Sequence, residues 1–370
     1  MKPSAVDGSA DTALNRICPY FTMFPLRFPY GILRRHAADQ DIVLDPFCGR
    51  GTTNYAARLR SLRSYGIDVN PVAVAIARAK AFHVTPVAII AEYDALLAAT
   101  GAAKTPIGEF WHWAFHPEVL AIIGRLRHAL INAERTPTRD ALRGLVLGAL
   151  HGPRSKQTSS YLSNQSPRTF APKPDYAIRF WRERNMRPEP VDIRLVLARR
   201  AQRYYAGEAG RGASTIELGD ARDRDVLQAI VGHVRWVITS PPYYGMRTYL
   251  PDQWLRAWFL GGPASPIYRD KAQLRHLSPE AFARDLGDVW RNVRAISRPD
   301  ARLVIRFGGI TDRSADPREV LSASLRDSGW RVITRRSAGV APRARRQADH
   351  FQRQPARGVA EFDTWAAAIA

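Results

Sequence analysis

In Val237-Ile238-Thr239-Ser240-Pro241-Pro242-Tyr243-Tyr244 an apolar run ends in a hydroxyl, two prolines and two aromatic rings. The prolines stiffen the backbone and remove two N–H donors, so the carbonyls beside them stand as fixed acceptors. Ser240 and the Pro241 carbonyl suit the N–H groups of an exocyclic amine. Pro242 fixes the turn, and Tyr243 offers a flat face to a planar heterocycle. A plain rigid turn between strand and loop is the other reading. Tyr244 and Tyr249 read equally well as nucleic-acid contacts or as core.

Far upstream, Asp45-Pro46-Phe47-Cys48-Gly49-Arg50-Gly51-Thr52-Thr53 is a Gly-rich turn after the apolar run Ile42-Val43-Leu44. Such a turn lets a ligand approach the backbone and the N-terminus of the next helix. Asp45 would set a carboxylate beside that ligand, which suits a cationic, amino-bearing group better than a pyrophosphate. Asp68, ending Tyr65-Gly66-Ile67-Asp68-Val69-Asn70, stands where a carboxylate takes ribose hydroxyls. A dinucleotide fingerprint would place another glycine at Asn54. His112 and His116 are four residues apart but lack a nearby thiol or carboxylate, so they read as packing residues, with no metal expected.

The elements that must position these residues follow from periodicity. Strands are expected at 41–44, 65–70, 214–220, 234–239, 302–307 and 330–334, the last strand of the chain. Helices are expected at 54–62 and 72–82, over 118–132, 139–150 and 191–205, and near 226–231, 278–296 and 317–328. The alternation predicts an α/β doubly wound, mostly parallel sheet, interrupted by a helical and loop-rich insertion. The boundaries read 1–86 and 207–340 for the catalytic domain, 87–206 for the insertion as candidate target-recognition region, and 341–370 for a basic C-terminal tail.

Taken together, the two motifs resemble motifs I and IV of the S-adenosylmethionine-dependent amino-group DNA methyltransferases. Gly66-Ile67-Asp68-Val69-Asn70-Pro71 is similar to motif II, Tyr20 to Leu33 to motif X, and Gly219-Asp220-Ala221-Arg222 to motif III. The resemblance covers about 17–83 and 214–340. It implies the class I methyltransferase fold, a Rossmann-like sheet of seven strands, and S-adenosylmethionine as cofactor. The cofactor residues carried over are Asp45, Pro46, Phe47, Gly49, Gly51, Thr52, Thr53, Asp68, Asn70 and Asp220, and the catalytic ones Ser240, Pro241, Pro242 and Tyr243. A target base inside a duplex would have to be flipped out. Ser at the first position of motif IV is typical of the cytosine-N4 enzymes, and Asp or Asn of the adenine-N6 enzymes. Attack on cytosine C5 needs a thiolate, but Cys18 precedes a proline and Cys48 lies in the cofactor turn, so both read as structural. The insertion falls between motifs II and III, where the family's variable region is usually found between III and IV.

The balance of 55 Lys and Arg against 34 Asp and Glu leaves +21, which favours a polyanionic partner, here double-stranded DNA. Arg154, Lys156, Gln157, Tyr161, Asn164, Gln165, Arg168 and Lys173 fall in one aperiodic run whose types suit phosphates and base edges, as Tyr244 suits a base face. A mobile polar loop is the alternative. Arg335, Arg336, Arg343, Arg345 and Arg346 read as a phosphate-contacting tail. Two cysteines, no apolar leader and no long apolar stretch fit a reducing cytoplasm and no membrane. A restriction endonuclease acting separately is a possible partner. The rivals are adenine-N6 DNA methylation, tRNA or rRNA guanine-N2 methylation, and a non-catalytic nucleic-acid binder. The guanine-N2 enzymes carry Asp where Ser240 stands and usually a substantial N-terminal RNA-binding domain, against about 40 residues before the first strand here.

Overall fold

A computed structural model describes residues 10–20, 24–152, 160–164, 173–207, 210–228, 230, 233–245, 253–266, 274, 278–309, 315–340 and 360–369. The chain divides into two compact units, one of residues 1–19, 78–209 and 249–270, the other of 20–77, 210–248 and 271–370.

The second unit is built on seven strands: β1 (Ile42–Asp45), β2 (Arg63–Asp68), β3 (Ser214–Leu218), β4 (Val234–Thr239), β5 (Ser297–Gly308), β6 (Trp330–Val340) and β7 (Ala360–Ala368). Their order in the sheet is β3-β2-β1-β4-β5-β7-β6. β1 to β5 run parallel, and β7 is antiparallel to both its neighbours. Strands covered on both faces read as unbroken apolar runs. Accordingly Val43, Leu44, Val237, Ile238, Leu303, Val304 and Ile305 are all fully buried. This is the α/β sheet expected of a class I methyltransferase. The strand order reverses between β1 and β4, and in open α/β sheets the crevice at such a reversal, beyond the strand C-termini, is where ligands bind.

Two expectations are corrected here. Trp330 to Thr334 is not the last strand, because β7 follows it in sequence and inserts between β5 and β6, leaving β6 at the sheet edge. Residues 360–368 are therefore not tail. Phe362 and Ala366 are buried core, and Thr364 between them is buried as well. Arg335 and Arg336 lie on β6, where Arg335 donates to the Ser322 hydroxyl at 2.5 Å. Arg343, Arg345 and Arg346 lie outside the described residues.

The first unit is helical, with Pro86–Ala99, Glu109–Ala114, Pro117–Asn132, Pro137–Ala149, Pro174–Glu183, Ile193–Tyr205 and Trp254–Phe259. It extends beyond the expected 87–206 at both ends and also takes in 1–19 and 249–270. Its core is aromatic: Trp111 packs against Phe115, Trp254 and Trp258, and Phe110 against Trp181 and Trp254. Helix starts across the chain share one local device. Thr85, Thr136, Ser278 and Asp316 each accept a first-turn N–H through the side chain, with proline next in line. The cap satisfies an orphan donor, and proline at the first helical position has no N–H to lose. Among the described residues no helix is long and apolar enough to cross a membrane.

Candidate active site

The site lies in the sheet unit, at the C-terminal ends of β1, β2 and β4. Parallel pairing of Leu44 with Val237 brings the Gly-rich turn and the Ser-Pro-Pro-Tyr turn to the same edge. Two side chains tie them. The Thr239 hydroxyl donates to Asp45 Oδ1 at 2.6 Å, and the Thr53 hydroxyl donates to the Ile238 carbonyl at 3.1 Å.

Asp45 is fully buried, and its Oδ1 also accepts the Phe47 N–H at 3.1 Å. Its Oδ2 accepts no hydrogen bond among the described residues. Burial lifts its pKa to about 7, with the Asp68 charge adding to the rise and hydrogen bonds opposing it. Such an oxygen is costly unless a cation or donor meets it. Asp68 accepts the Gly49 N–H at 2.9 Å and the Asn70 N–H at 2.8 Å, and so pins the glycine turn to the end of β2. Burial raises its pKa to about 6, against both backbone bonds. Each oxygen keeps a second lone pair for a hydroxyl.

Gly49 has φ +50°, and a Cβ there would meet no described atom within 4 Å, so the turn presents bare backbone. Gly51, at φ +73°, serves packing instead, since a Cβ would stand 2.8 Å from the Cβ of Ala77. The helix Thr52–Leu59 starts at Gly51 with no side-chain cap, and the first-turn amides of such a helix suit an anionic group. Asn70 is buried and engaged, donating to the Tyr20 hydroxyl at 3.1 Å and accepting the Val72 N–H at 2.9 Å.

An orphaned buried carboxylate oxygen beside a bare glycine turn fits a ligand with an ammonium group and a carboxylate. The amino-acid end of S-adenosylmethionine has that chemistry.

Several expected contacts are otherwise engaged. Thr52 and Pro46 are buried, the Thr53 hydroxyl is spent on Ile238, and Phe47 packs edge-on to Trp290 at 6.1 Å. Asp220 is gripped by the Arg222 guanidinium at 2.9 and 2.5 Å, and Arg222 in turn reaches the buried Asp285 at 3.1 Å. Its carboxylate is thus already half-committed. Ser240 and Pro242 are partly exposed at the strand end and Pro241 is buried. Tyr243 is buried, with its hydroxyl on Glu361 and its ring edge-on to Phe307. Tyr244 is partly exposed and packs edge-on to Phe282 against the core.

Of the expected nucleic-acid contacts, Arg154, Lys156, Gln157, Gln165 and Arg168 lie outside the described residues, as does Tyr249. Asn164 is a correction. It is buried, and its amide donates to the carbonyls of Trp113 and Met186 at 3.0 and 2.7 Å, which closes the loop onto the helical core. Tyr161 lies under the Arg200 guanidinium at 4.8 Å. Lys173 is exposed at the start of Pro174–Glu183. His116 precedes Pro117–Asn132 and His112 is exposed beside Trp113. The sequence reading missed Glu361, which lies on a strand it had not assigned.

Residues 5–79 match the family model of the N6 and N4 methyltransferases, described as DNA methylase. A comparison with curated proteins finds no match. Similar solved structures include TrmN from Thermus thermophilus, 12% identical with TM-score 0.36, covering 94% of this chain and 49% of that one. They include the rRNA methyltransferase aviRa from Streptomyces viridochromogenes, 14% identical with TM-score 0.36, covering 100% and 93%. A third is an rRNA methylase from Streptococcus thermophilus, 9% identical with TM-score 0.33, covering 95% and 100%. The chain thus spans about half the length of the first of these, and likenesses at such scores decide nothing about substrate. The family match covers motifs X, I and II, and over residues 5–79 it bears out the resemblance to the amino-group DNA methyltransferases, with S-adenosylmethionine as their cofactor.

Proposed function

We propose that this protein is a site-specific DNA methyltransferase that moves a methyl group from S-adenosylmethionine to the exocyclic amine of a flipped base, cytosine N4. The observation that carries the reading is the Asp45–Thr239 hydrogen bond at 2.6 Å, which holds a cofactor-type turn against a Ser-Pro-Pro-Tyr turn. When bound, S-adenosylmethionine supplies an electrophilic methyl on a sulfonium centre with a good leaving group. Asp45 would receive its ammonium, the glycine turn and the first amides of Thr52–Leu59 its carboxylate, and Asp68 its ribose hydroxyls.

What remains for the protein is placement and a freer lone pair on the amine. In an aromatic amine that pair is delocalised into the ring. Ser240 Oγ and the Pro241 carbonyl accept the two N–H groups and draw the nitrogen toward tetrahedral geometry. Tyr243 supports the base plane through its ring alone, because its hydroxyl is held by Glu361. Once the nitrogen has taken the methyl it sheds a proton to water. Ser240, in place of an acidic or amide side chain, favours cytosine. The test is incubation with labelled cofactor and either duplex DNA or tRNA, followed by sequencing that separates N4-methylcytosine from N6-methyladenine. Label in DNA as N4-methylcytosine is expected. Label in tRNA alone would replace this reading with the RNA one.

A further inference from the structure

β7 runs antiparallel to β5, so the start of β7 lies beside the end of β5, the edge of the sheet from which the Ser-Pro-Pro-Tyr turn leaves β4. Glu361 is there, paired in register with Gly308 on β5. Its Oε1 accepts the Tyr243 hydroxyl at 2.8 Å. The Tyr243 ring meets Phe307 edge-on, with centroids 5.4 Å apart and planes at 75°. Gly308 forms the floor: a Cβ there would stand 3.1 Å from Glu361 Cγ and 3.2 Å from Tyr243 Cε2. The ring is thus held at its edge and its para position, over a glycine that leaves room for both. A ring anchored at one point swings about its side-chain torsions, whereas one anchored at two keeps a single plane.

We infer that Glu361 is a positioning residue of the transfer reaction, fixing through the Tyr243 hydroxyl the plane against which the target base is set. This rests on the proposed methylation. The contact itself does not, so the two are tested apart. Glu361 acts through Tyr243 and leaves the cofactor contacts untouched, so its loss lowers kcat and not cofactor affinity. Misplacement of a reacting group by about 1 Å costs up to about 10²-fold in rate. Glu361→Ala and Tyr243→Phe are each expected to lower kcat by about tenfold or more, with KM for S-adenosylmethionine unchanged. Their double variant is expected to be no slower than either, because both cut one link. Glu361→Gln, which keeps an acceptor oxygen, recovers most of the rate. A purely structural Glu361 would instead change melting temperature and leave kcat per folded molecule alone.

The second measurement needs no turnover. In protein carrying 13C-labelled tyrosine, the Tyr243 ring signals are assigned by their absence in Tyr243→Phe. Their shift in Glu361→Ala, with Glu361→Gln near the wild type, supports the tether. Unmoved signals in Glu361→Ala overturn it, as does wild-type kcat in that variant. A wild-type protein that methylates no DNA while the signals do move defeats the positioning role together with the proposed function and leaves only the contact. Moving signals with lowered kcat uphold both.

Discussion

On the proposed reading, Asp45 serves opposite ends in the free and the cofactor-loaded protein. An acid whose pKa is raised by folding, from 3.8 to about 7 here, keeps in the fold a proton that the unfolded chain releases. Across that window the native state binds the extra proton, so stability falls as pH rises. Asp45→Asn is expected to flatten this slope and to stabilise the cofactor-free protein at pH 8 by on the order of 1–4 kcal/mol. The same variant loses cofactor affinity. In the wild type at pH 6, binding a cationic ligand ionises the carboxyl and releases about one proton. Calorimetry in two buffers of different ionisation enthalpy reads that proton, and an enthalpy independent of buffer would contradict the assignment. Ser240→Ala tests the other half of the site. It removes the acceptor proposed for the amine and should cut kcat by about 10²-fold while DNA affinity holds. Unchanged turnover would remove Ser240 from the reacting centre. The candidate site was legible in the sequence because a carboxylate, bare glycines and a doubled proline each carry a local signal. Glu361 was not, because a lone glutamate after a basic run has no local signal and its meaning comes from a strand pairing.

At the scale of elements, the glycine turn is a packing device as well as the proposed ligand cradle. Gly51→Ala forces a left-handed residue and drives a Cβ to 2.8 Å from Ala77. A loss of about 1–3 kcal/mol is expected in chemical denaturation, with the helices Thr52–Leu59 and Pro71–Arg78 pushed apart. An equal midpoint would mean that the turn relaxes freely. The inner parallel strands could be read from the sequence because burial on both faces leaves unbroken apolar runs such as Trp236-Val237-Ile238 and Leu303-Val304-Ile305. β7 could not. It alternates, with Phe362, Thr364 and Ala366 turned into the core and Glu361, Asp363 and Trp365 less buried between them. Its Asp363 pairs with Arg306 at 2.8 Å through both nitrogens, and that guanidinium lies 3.9 Å over Phe28. Polar residues that looked like tail are thus cross-strand partners. A chain stopped at residue 359 leaves β5 unpaired on one side and β6 with no neighbour, and is expected to lose cooperative unfolding by circular dichroism. A sharp native-like transition in that chain would show the strand to be dispensable.

For the whole molecule the governing number is +21, carried mostly by arginine. DNA binding through phosphates releases condensed counterions, so affinity should fall steeply with salt. A loss of about 10³-fold or more between 50 and 200 mM salt is expected if about six phosphates are neutralised. A nearly flat dependence, measured by fluorescence anisotropy, would shift the affinity from charge to base contacts. Charge speaks to the partner and not to the fold, which is why composition pointed to nucleic acid while leaving the recognition residues open. Asn164 shows the limit of reading such residues by type, since a side chain well suited to adenine is spent here on two main-chain carbonyls of the helical unit.

The place of β7 between two strands made before it has a consequence for biosynthesis. Until residues 360–368 are available, β6 has no seat in the sheet, and the free side of β5 is an open hydrogen-bonding edge. The nascent protein must hold that gap until β7 emerges and threads into it, which delays completion of the sheet and lengthens its exposure to mispairing. Glu361 lies near the start of the arriving strand, so its bond to Tyr243 closes only once β7 is in place.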